Sequence, residues 1–233
     1  MALQRAGSGQ PTYRQILADG PFESLYWPAL TTPTRQGTRS VMARAWARAQ
    51  ELDVDLLLYL EDDVRPCLNA IPYMLATGVP DDLAFLTYFP TEGQVSDHWA
   101  NVAELGGGPA GFPLIRRLAA SHYFSGNQCL AFPRRTIDYL ARHYPHLSSP
   151  AWNYPNGADA WMGFLVAKGP QPFYGAHLPA LVEHVGASSA AHPGLTLNDP
   201  NRRAACWPGC DFDALTLLKT PPEGPNSLQG PRS

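Results

Sequence analysis

Two kinds of hydrophobic pattern alternate along the central part of this chain. Over residues 38–52 the apolar side chains recur at helical spacing, which predicts an amphipathic helix. The next apolar run, LLLYL at 56–60, is too short for a helix and is typical of a strand buried on both faces. Residues 83–90, LAFLTYFP, form a second candidate strand that ends at Pro90.

The same two patterns continue in the second half of the chain. SHYFSGNQCLAFP (121–133) reads as a strand interrupted at Ser125-Gly126, and Pro133 suits the first turn of the next helix. ADAWMGFLVAKG (158–169) predicts a helix with Asp159 in its first turn, and PALVEHVG (179–186) predicts a short strand that carries His184. Helices alternating with apolar strands predict an α/β fold, a single domain with a mostly parallel central sheet flanked by helices.

Composition and charge narrow the class of protein. At 45% hydrophobic residues the chain can bury a sizeable core, and its net charge of -3 gives no electrostatic footprint for sequence-independent nucleic-acid binding. We expect a poorly ordered segment over residues 1–20, one domain over 21–219 and a flexible tail over 220–233. The sequence has no signal-peptide h-region and no apolar run of membrane-spanning length, so we expect no membrane insertion and a cytoplasmic location.

The cysteines predict no metal centre of their own. Cys67, Cys129, Cys206 and Cys210 form neither a CxxC pair nor a Cys/His zinc pattern. Ordinary reduced thiols are one interpretation of all four. A disulfide between Cys206 and Cys210, in CWPGC, is the alternative.

Three consecutive acids, Glu61-Asp62-Asp63, follow the LLLYL run directly. In open α/β sheets, ligands bind outside the carboxyl ends of the strands, and this is where the triplet is expected. Side chains on an extended segment alternate in direction, so Glu61 and Asp63 point one way and Asp62 the other. A pair of carboxylates suits Mg²⁺ or Mn²⁺, because both ions prefer oxygen ligands and Mg²⁺ shares its shell with substrate phosphates. A solvated turn is the alternative interpretation.

The segment LYLEDDV resembles the DxD-type motif of GT-A glycosyltransferases, in which a hydrophobic strand ends in acids that hold a metal ion and the diphosphate of a nucleotide-sugar donor. Three further landmarks of that family have matches here in the same order. They are the glycine of a loop before a strand, an acid at the start of a helix and a late histidine after a strand: Gly126, Asp159 and His184. Ala158 stands where the family usually has a second acid, and FESLYWPAL (22–30) is the candidate for its opening strand.

The resemblance implies a GT-A-like (Rossmann-like) domain with a metal and donor site. Asp63 and Glu61 would bind Mn²⁺ or Mg²⁺, and His184 would complete the metal site through a neutral imidazole nitrogen. Glu61 and Asp62 would also contact the donor, together with Gly126. A UDP-sugar is the expected donor.

Four more residues are candidates for the remaining steps. Asp159 would take the proton from the acceptor hydroxyl in an inverting transfer, or would position the acceptor in a retaining one; the alternative is that it only stabilises a helix N-terminus. Arg35 and Arg39, four residues apart, would meet on one side of a helix and bind donor phosphate, unless both are simply solvated. Trp152 is the candidate aromatic surface for the acceptor.

The predicted function is therefore metal-dependent transfer of a sugar from a nucleotide-diphosphate sugar to an acceptor hydroxyl. A metal-dependent hydrolase or a nucleotidyl-type transferase is the alternative, since both use clustered carboxylates, and a carbohydrate- or nucleotide-binding protein with a decayed site is a third class. The acceptor is a glycan, a protein, a metabolite or a hydroxymethylated DNA base. The last would place phosphates near the basic pairs of the chain, which are Arg116-Arg117, Arg134-Arg135 and Arg202-Arg203.

Overall fold

The structure is a computed structural model that describes residues 35–61, 64–93, 114–121, 124, 126–144, 158–185 and 199–218. Its main helices are α1 (Arg35–Glu51), α2 (Ala70–Thr77), α3 (Arg134–His143) and α4 (Ala158–Lys168). Its strands are β1 (Leu56–Leu60), β2 (Val64–Pro66), β3 (Leu86–Thr87), β4 (Leu114–Ala119), β5 (Cys129–Pro133), β6 (Phe173–Leu178) and β7 (Val182–His184). Short 3₁₀ helices form at Pro200–Arg202 and Ala214–Leu218. The helices predicted around residues 38–52, after Pro133 and at 158–169 are confirmed.

The strands form two sheets. The larger sheet has five strands in the order β1-β5-β3-β6-β4, and the smaller one pairs β2 with β7. In the larger sheet only β3 and β6 pair in parallel, while the pairs β1–β5, β3–β5 and β4–β6 are antiparallel. The mixed α/β class is thus confirmed, and the mostly parallel sheet predicted from the sequence is wrong.

Burial on both faces explains that error. Along β1, Leu58 and Leu60 belong to one hydrophobic cluster and Leu57 and Tyr59 to the other, as the alternation of side chains in a strand requires. The first cluster includes α2 and the second includes α1, α3 and α4, so helices cover both faces of the sheet. A continuous apolar run therefore reports coverage on both faces. It does not report the direction of the neighbouring strand.

The direction of the strands decides which loops share an edge of the sheet. Because β5 is antiparallel to both β1 and β3, and β3 is parallel to β6, the strands β1, β3 and β6 all run the same way. Their carboxyl ends lie at one edge, which we call the acidic edge because Glu61 follows β1 there. Since β5 runs the opposite way, its amino end also lies at the acidic edge.

Two other expectations concern the ends of the chain and membranes. Among the described residues, no helix is both long and apolar enough to cross a membrane. The segments 1–20 and 220–233 lie outside the described residues, so the domain bounds given above stay predictions. The candidate strand FESLYWPAL lies outside them as well.

Candidate functional site

The acidic edge is built first from β1 and β5. The register pairs Leu60 with Cys129, and the backbone N–H of Glu61 donates to the carbonyl oxygen of Gln128 at 3.0 Å. The ladder therefore continues one residue past β1 and fixes the backbone of Glu61. The other two acids of the triplet, Asp62 and Asp63, lie outside the described residues.

A glycine turn leads into β5 at the same edge. Gly126 is buried and has φ of 100°, a backbone conformation that L residues rarely adopt, so a glycine is required there. The next residue, Asn127, contacts Met42 of α1, with 4.0 Å between its Nδ2 and the methionine Sδ. This contact places the amino-terminal half of α1 beside the glycine turn. Arg39 lies about one helical turn before Met42 and Arg35 begins the helix, so the backbone of both is on the side of the acidic edge.

The small sheet brings His184 to the segment that follows the acids. Strands β2 and β7 are antiparallel, and the register pairs Val64 with His184. Val64 is the residue after Asp63 in the chain. The backbone N–H of Leu181 donates to the carbonyl of Tyr88, which joins the entrance of β7 to the main sheet just beyond β3. The acidic edge thus brings together three residues that are far apart in sequence: Glu61, Gly126 and His184.

The imidazole of His184 is held by an arginine. Arg202 Nη2 lies 3.0 Å from His184 Nδ1 and 3.2 Å from Nε2. An in-plane hydrogen bond to one ring nitrogen would leave the other much farther away, so the near-equal distances place the guanidinium over the ring. Both side chains are buried, with 6% of His184 and 7% of Arg202 exposed. A guanidinium keeps its positive charge in proteins, so this contact places a buried cation over the ring.

Backbone hydrogen bonds anchor the segment that carries Arg202. The N–H of Ala205 donates to the carbonyl of Pro90 at 2.8 Å, and the N–H of Glu92 donates to that of Arg203 at 2.9 Å. Residues 90–92 follow β3, so this pairing holds Arg202 at the acidic edge. The neighbouring Arg203 points elsewhere, because its Nη2 pairs with the Glu92 carboxylate at 3.1 Å.

The carboxyl group of the residue before His184 has a shifted pKa. The Glu183 carboxylate accepts a hydrogen bond from the backbone N–H of His184 at 3.1 Å. Burial raises the pKa of Glu183 above its ordinary value, although its backbone hydrogen bonds and the nearby Arg203 oppose that shift. Sequence reasoning did not select Glu183. Its position beside the histidine in ALVEHVG was the available signal.

Gln128 carries an unusual polar atom at the acidic edge. Its side-chain Oε1 is buried and, within the described part of the chain, accepts no hydrogen bond. A buried carbonyl oxygen without a donor costs about 1–3 kcal/mol. Gln128 pairs with Glu61 across the strands, so this unsatisfied acceptor belongs to the residue opposite Glu61. Sequence reasoning missed it, because only the register identifies it.

Asp159 lies in the first turn of α4, as the sequence predicts. It is half-buried, and its Oδ1 accepts a hydrogen bond from the N–H of Ala160 at 2.9 Å. Helix α4 is joined to β6 by the short connection 169–172 and packs on the sheet, so it runs back along β6. Its amino end therefore points towards the acidic edge. The hydrogen bond to Ala160 belongs to the helix itself, and a catalytic role of Asp159 stays a prediction.

The basic pair Arg134-Arg135 lies at the opposite edge. The N–H of Arg134 donates to the carbonyl of Asp55, next to the start of β1, and its guanidinium pairs with Asp53 and Asp138. Arg135 donates to the carbonyl oxygens of Pro80 and Leu83, at 2.8 and 2.9 Å. These contacts make both residues part of the scaffold. The side chains of Arg116 and Arg117 lie outside the described part.

The fit of a divalent ion depends on the acids more than on the histidine. Glu61 supplies a carboxylate at the acidic edge, and Gln128, which pairs with it across the strands, carries an amide oxygen of the kind these ions prefer. A metal on either nitrogen of His184 would lie within roughly 5 Å of the Arg202 guanidinium, given a metal–nitrogen bond of about 2.1 Å. Their repulsion would amount to several kcal/mol at an effective dielectric constant of about 20. His184 as a ligand therefore requires that Arg202 move.

Three of the predicted site residues, Asp62, Asp63 and Trp152, lie outside the described residues. Among the described residues, no group of three or more His, Cys, Asp or Glu side chains is arranged to hold a metal ion. Asp63, the main predicted ligand, and Trp152, the predicted acceptor residue, lie outside those ranges, so both stay predictions. The four cysteines are free thiols, as the first interpretation has it.

The sequence was compared with models of known protein families and with curated proteins, and no match was found in either comparison.

Proposed function

We propose that this protein is a metal-assisted glycosyltransferase with a GT-A-like domain, which transfers a sugar from a nucleotide-diphosphate donor to an acceptor hydroxyl. One observation carries the proposal: Glu61, the glycine turn at Gly126 and the strand that bears His184 converge at the acidic edge. The sequence resemblance predicts that these landmarks form one site, although more than a hundred residues separate the first from the last.

Each part of the acidic edge supports a step of this reaction. A bound Mn²⁺ or Mg²⁺ would neutralise the negative charge that develops on the diphosphate leaving group. Glu61 and Asp63 would hold that ion, and Asp62 would contact the donor. The amino-terminal half of α1 includes Arg35 and Arg39, which would bind phosphate oxygens of the donor.

The acceptor step falls to Asp159. Its position in the first turn of α4, with the amino end of that helix towards the acidic edge, is suited to accept a proton from a hydroxyl bound there. The backbone N–H of Ala160 donates to the Oδ1 of Asp159, and the second carboxylate oxygen would be the one that takes the proton. Trp152 remains the proposed acceptor surface, and the acceptor is a glycan, a protein, a metabolite or a hydroxymethylated DNA base.

A thermal-shift screen with nucleotide sugars, with and without Mn²⁺, tests the proposal. We expect the midpoint of unfolding to rise with at least one donor, UDP-sugars first, and to rise further when Mn²⁺ is added. Glu61→Gln should abolish the Mn²⁺-dependent part, whereas Glu51→Gln, an exposed acid at the end of α1, should leave it intact. Stabilisation by no nucleotide sugar at all would refute the proposed function.

Product analysis separates this function from a hydrolase or a nucleotidyl-type transferase. A glycosyltransferase releases nucleoside diphosphate in proportion to the acceptor that it glycosylates. The alternative enzymes cleave within the phosphate chain and release inorganic phosphate, diphosphate or a nucleoside monophosphate instead. Release of those products, independent of any sugar acceptor, would favour the alternative.

A further inference from the structure

We propose that the side-chain amides of Asn127 and Gln128 bind hydroxyl groups of a sugar in the nucleotide-sugar donor. The inference rests on the proposed function and deepens it, because it names the part of the donor that the start of β5 recognises. We call these two residues the amide pair. They follow the glycine turn directly, and sequence reasoning selected neither of them.

The first argument is the sparse hydrogen bonding of Asn127 at the glycine turn. The residue is only 8% exposed, yet within the described residues its side chain makes one hydrogen bond, from Nδ2 to the sulfur of Met42 at 4.0 Å. An asparagine amide offers two N–H groups and a carbonyl oxygen, and a thioether sulfur is a weak acceptor. Most of the hydrogen-bonding capacity of this buried amide is therefore available to a ligand.

The second argument is the buried carbonyl oxygen of Gln128. Its Oε1 accepts no hydrogen bond within the described part of the chain. Buried polar atoms without a partner are rare in native proteins, and a bound ligand is one way to satisfy them. The residue as a whole is half-buried, so its side chain extends from the turn to the surface. Rotation about the last bond of a glutamine side chain is easy, so either end of this amide can turn towards a ligand.

The third argument is that both amides lie on the same face of the sheet. Phe132 packs in the hydrophobic cluster that includes α1, and the alternation of side chains places Gln128 on that face. Asn127 lies there too, because its partner Met42 belongs to the same cluster. Gln128 is directly opposite Glu61 across the strands. The amide pair therefore lies between the start of β5 and the amino-terminal half of α1, at the acidic edge.

The chemistry of an amide decides which part of the donor it binds. A side-chain amide both donates and accepts hydrogen bonds, as a hydroxyl group does, whereas phosphate oxygens only accept. In the proposed function Glu61 would hold the ion beside the diphosphate. A sugar is attached at each end of that diphosphate, the ribose at one and the transferred sugar at the other. The residue opposite Glu61 would therefore face hydroxyl groups of one of these two sugars.

Isothermal titration of the full chain, in the presence of Mn²⁺, tests this inference. UDP and the UDP-sugar that gives the largest thermal shift would be compared for the wild type, Gln128→Met and Gln50→Met. Methionine keeps the length of glutamine without its polar atoms. We expect Gln128→Met to weaken the UDP-sugar about 5- to 30-fold, as the loss of one or two hydrogen bonds implies. Asn127→Leu, which keeps the branched shape of asparagine, should weaken the same ligand.

Gln50→Met is the matched control. Gln50 is also half-buried, but its Nε2 already donates to Asp138 at 3.1 Å, at the opposite edge of the sheet. This variant should bind both ligands as the wild type does. Urea unfolding should separate the two variants in the opposite sense, because Gln50→Met loses a hydrogen bond and Gln128→Met loses an unsatisfied acceptor. Only Gln50→Met should therefore unfold at a lower urea concentration than the wild type.

Deoxygenated ligands identify the sugar. If the amide pair binds the ribose, Gln128→Met weakens UDP and the UDP-sugar alike. In that case 2′-deoxy-UDP or 3′-deoxy-UDP binds the wild type more weakly than UDP does, with no further loss in the variant. If the amide pair binds the transferred sugar, Gln128→Met binds UDP normally and loses affinity only for the UDP-sugar. Either pattern supports the inference.

Three results would overturn the inference. Unchanged affinity of Gln128→Met for both ligands would mean that the amide pair binds only water. An equal loss in Gln50→Met would mean that the effect is not specific to this site, and clear destabilisation of Gln128→Met would mean that its Oε1 has a donor in the free protein. All three leave the proposed function standing, since the wild type still binds its donor. Failure of the wild type to bind any nucleoside diphosphate or nucleotide sugar would instead defeat the proposed function, and this inference with it.

Discussion

The buried histidine of β6 should make the stability of the protein depend on pH. His177 is 1% exposed and its ring has a partner at each nitrogen. Its Nδ1 lies 2.8 Å from the carbonyl oxygen of Pro179, which only accepts, so Nδ1 carries the proton. Its Nε2 is then the acceptor for the hydroxyl of Tyr73, also at 2.8 Å. This arrangement suits the neutral ring, and burial lowers the pKa of His177 from 6.5 to about 4.

The sign of the effect follows from proton binding in the two states. Between pH 6.5 and pH 4 the unfolded chain binds a proton at His177 and the folded chain does not, so the free energy of unfolding falls as the pH falls. The shift of about 2.5 pKa units corresponds to about 3 kcal/mol at its limit. Between pH 7 and pH 5 the loss from this group is about 2 kcal/mol. Above pH 7 the contribution is flat.

Urea unfolding of the wild type and of His177→Gln, at about pH 7, 6 and 5, measures this contribution. The variant has no titrating group at this position, so the difference in unfolding free energy between the two proteins should change by about 2 kcal/mol over this range. Other groups act in both proteins and cancel in the comparison. Glu183 is one of these groups. The pKa of its half-buried carboxyl is raised, so its contribution to stability has the opposite sign and falls as the pH rises.

A difference between the two proteins that is the same at pH 7 and pH 5 would refute this reasoning. Such a result would mean that the ring of His177 is protonated as easily in the folded chain as in the unfolded one. The ring-proton chemical shifts of His177 give an independent check, because they should stay those of a neutral imidazole at pH 5.

Further variants test the packing of α4 and the site. Gly163→Ala should lower the free energy of unfolding by about 1–3 kcal/mol, in spite of the better helix propensity of alanine. The new Cβ would lie 2.6 Å from Phe124 Cβ and closer still to the Ser121 carbonyl oxygen. Urea unfolding that shows no loss of stability would contradict this packing. Gln128→Leu should unfold at the same or a higher urea concentration and bind donor more weakly in titrations, whereas clear destabilisation would mean that its Oε1 has a donor in the free protein. Asp159→Asn should lower kcat about 100-fold or more with donor affinity unchanged, and normal turnover would remove Asp159 from the mechanism.

Local patterns predicted much of the scaffold. The LLLYL run is a strand, and Glu61 follows it at the edge of a sheet. The strand FYGAHL was not predicted, because it holds a glycine and a histidine. The polarity of that histidine is satisfied by Tyr73, a hundred residues away in the chain, and such a partner leaves no local signal. Helix α2 was missed because Pro72 interrupts the pattern. Pro72 lies in the first turn, where a backbone N–H would have no helical partner in any case.

Contacts between distant segments decided what the sequence left open at the site. Glu61, Gly126 and His184 were selected as separate landmarks, and each carries a local signal such as a charge run or a glycine before a strand. Arg202 carries no such signal. Its position beside His184 follows from their direct contact and from the pairing of its segment with residues 90–92. Both contacts join parts of the chain that are distant in sequence.

The direction of β5 explains both the wrong prediction about the sheet and the position of Gly126 beside Glu61. In a mostly parallel sheet, the loop that precedes β5 would lie at the edge opposite to the carboxyl end of β1. Gly126 and Glu61 would then be separated by the length of a strand, about 17 Å for five residues. Because β5 runs antiparallel between β1 and β3, the glycine turn that precedes β5 lies at the same end of the sheet as Glu61, which follows β1. Gln128 therefore pairs with Glu61. The reversed strand is therefore the feature of the fold that assembles the acidic edge, and a strand of either direction would have produced the same apolar pattern in the sequence.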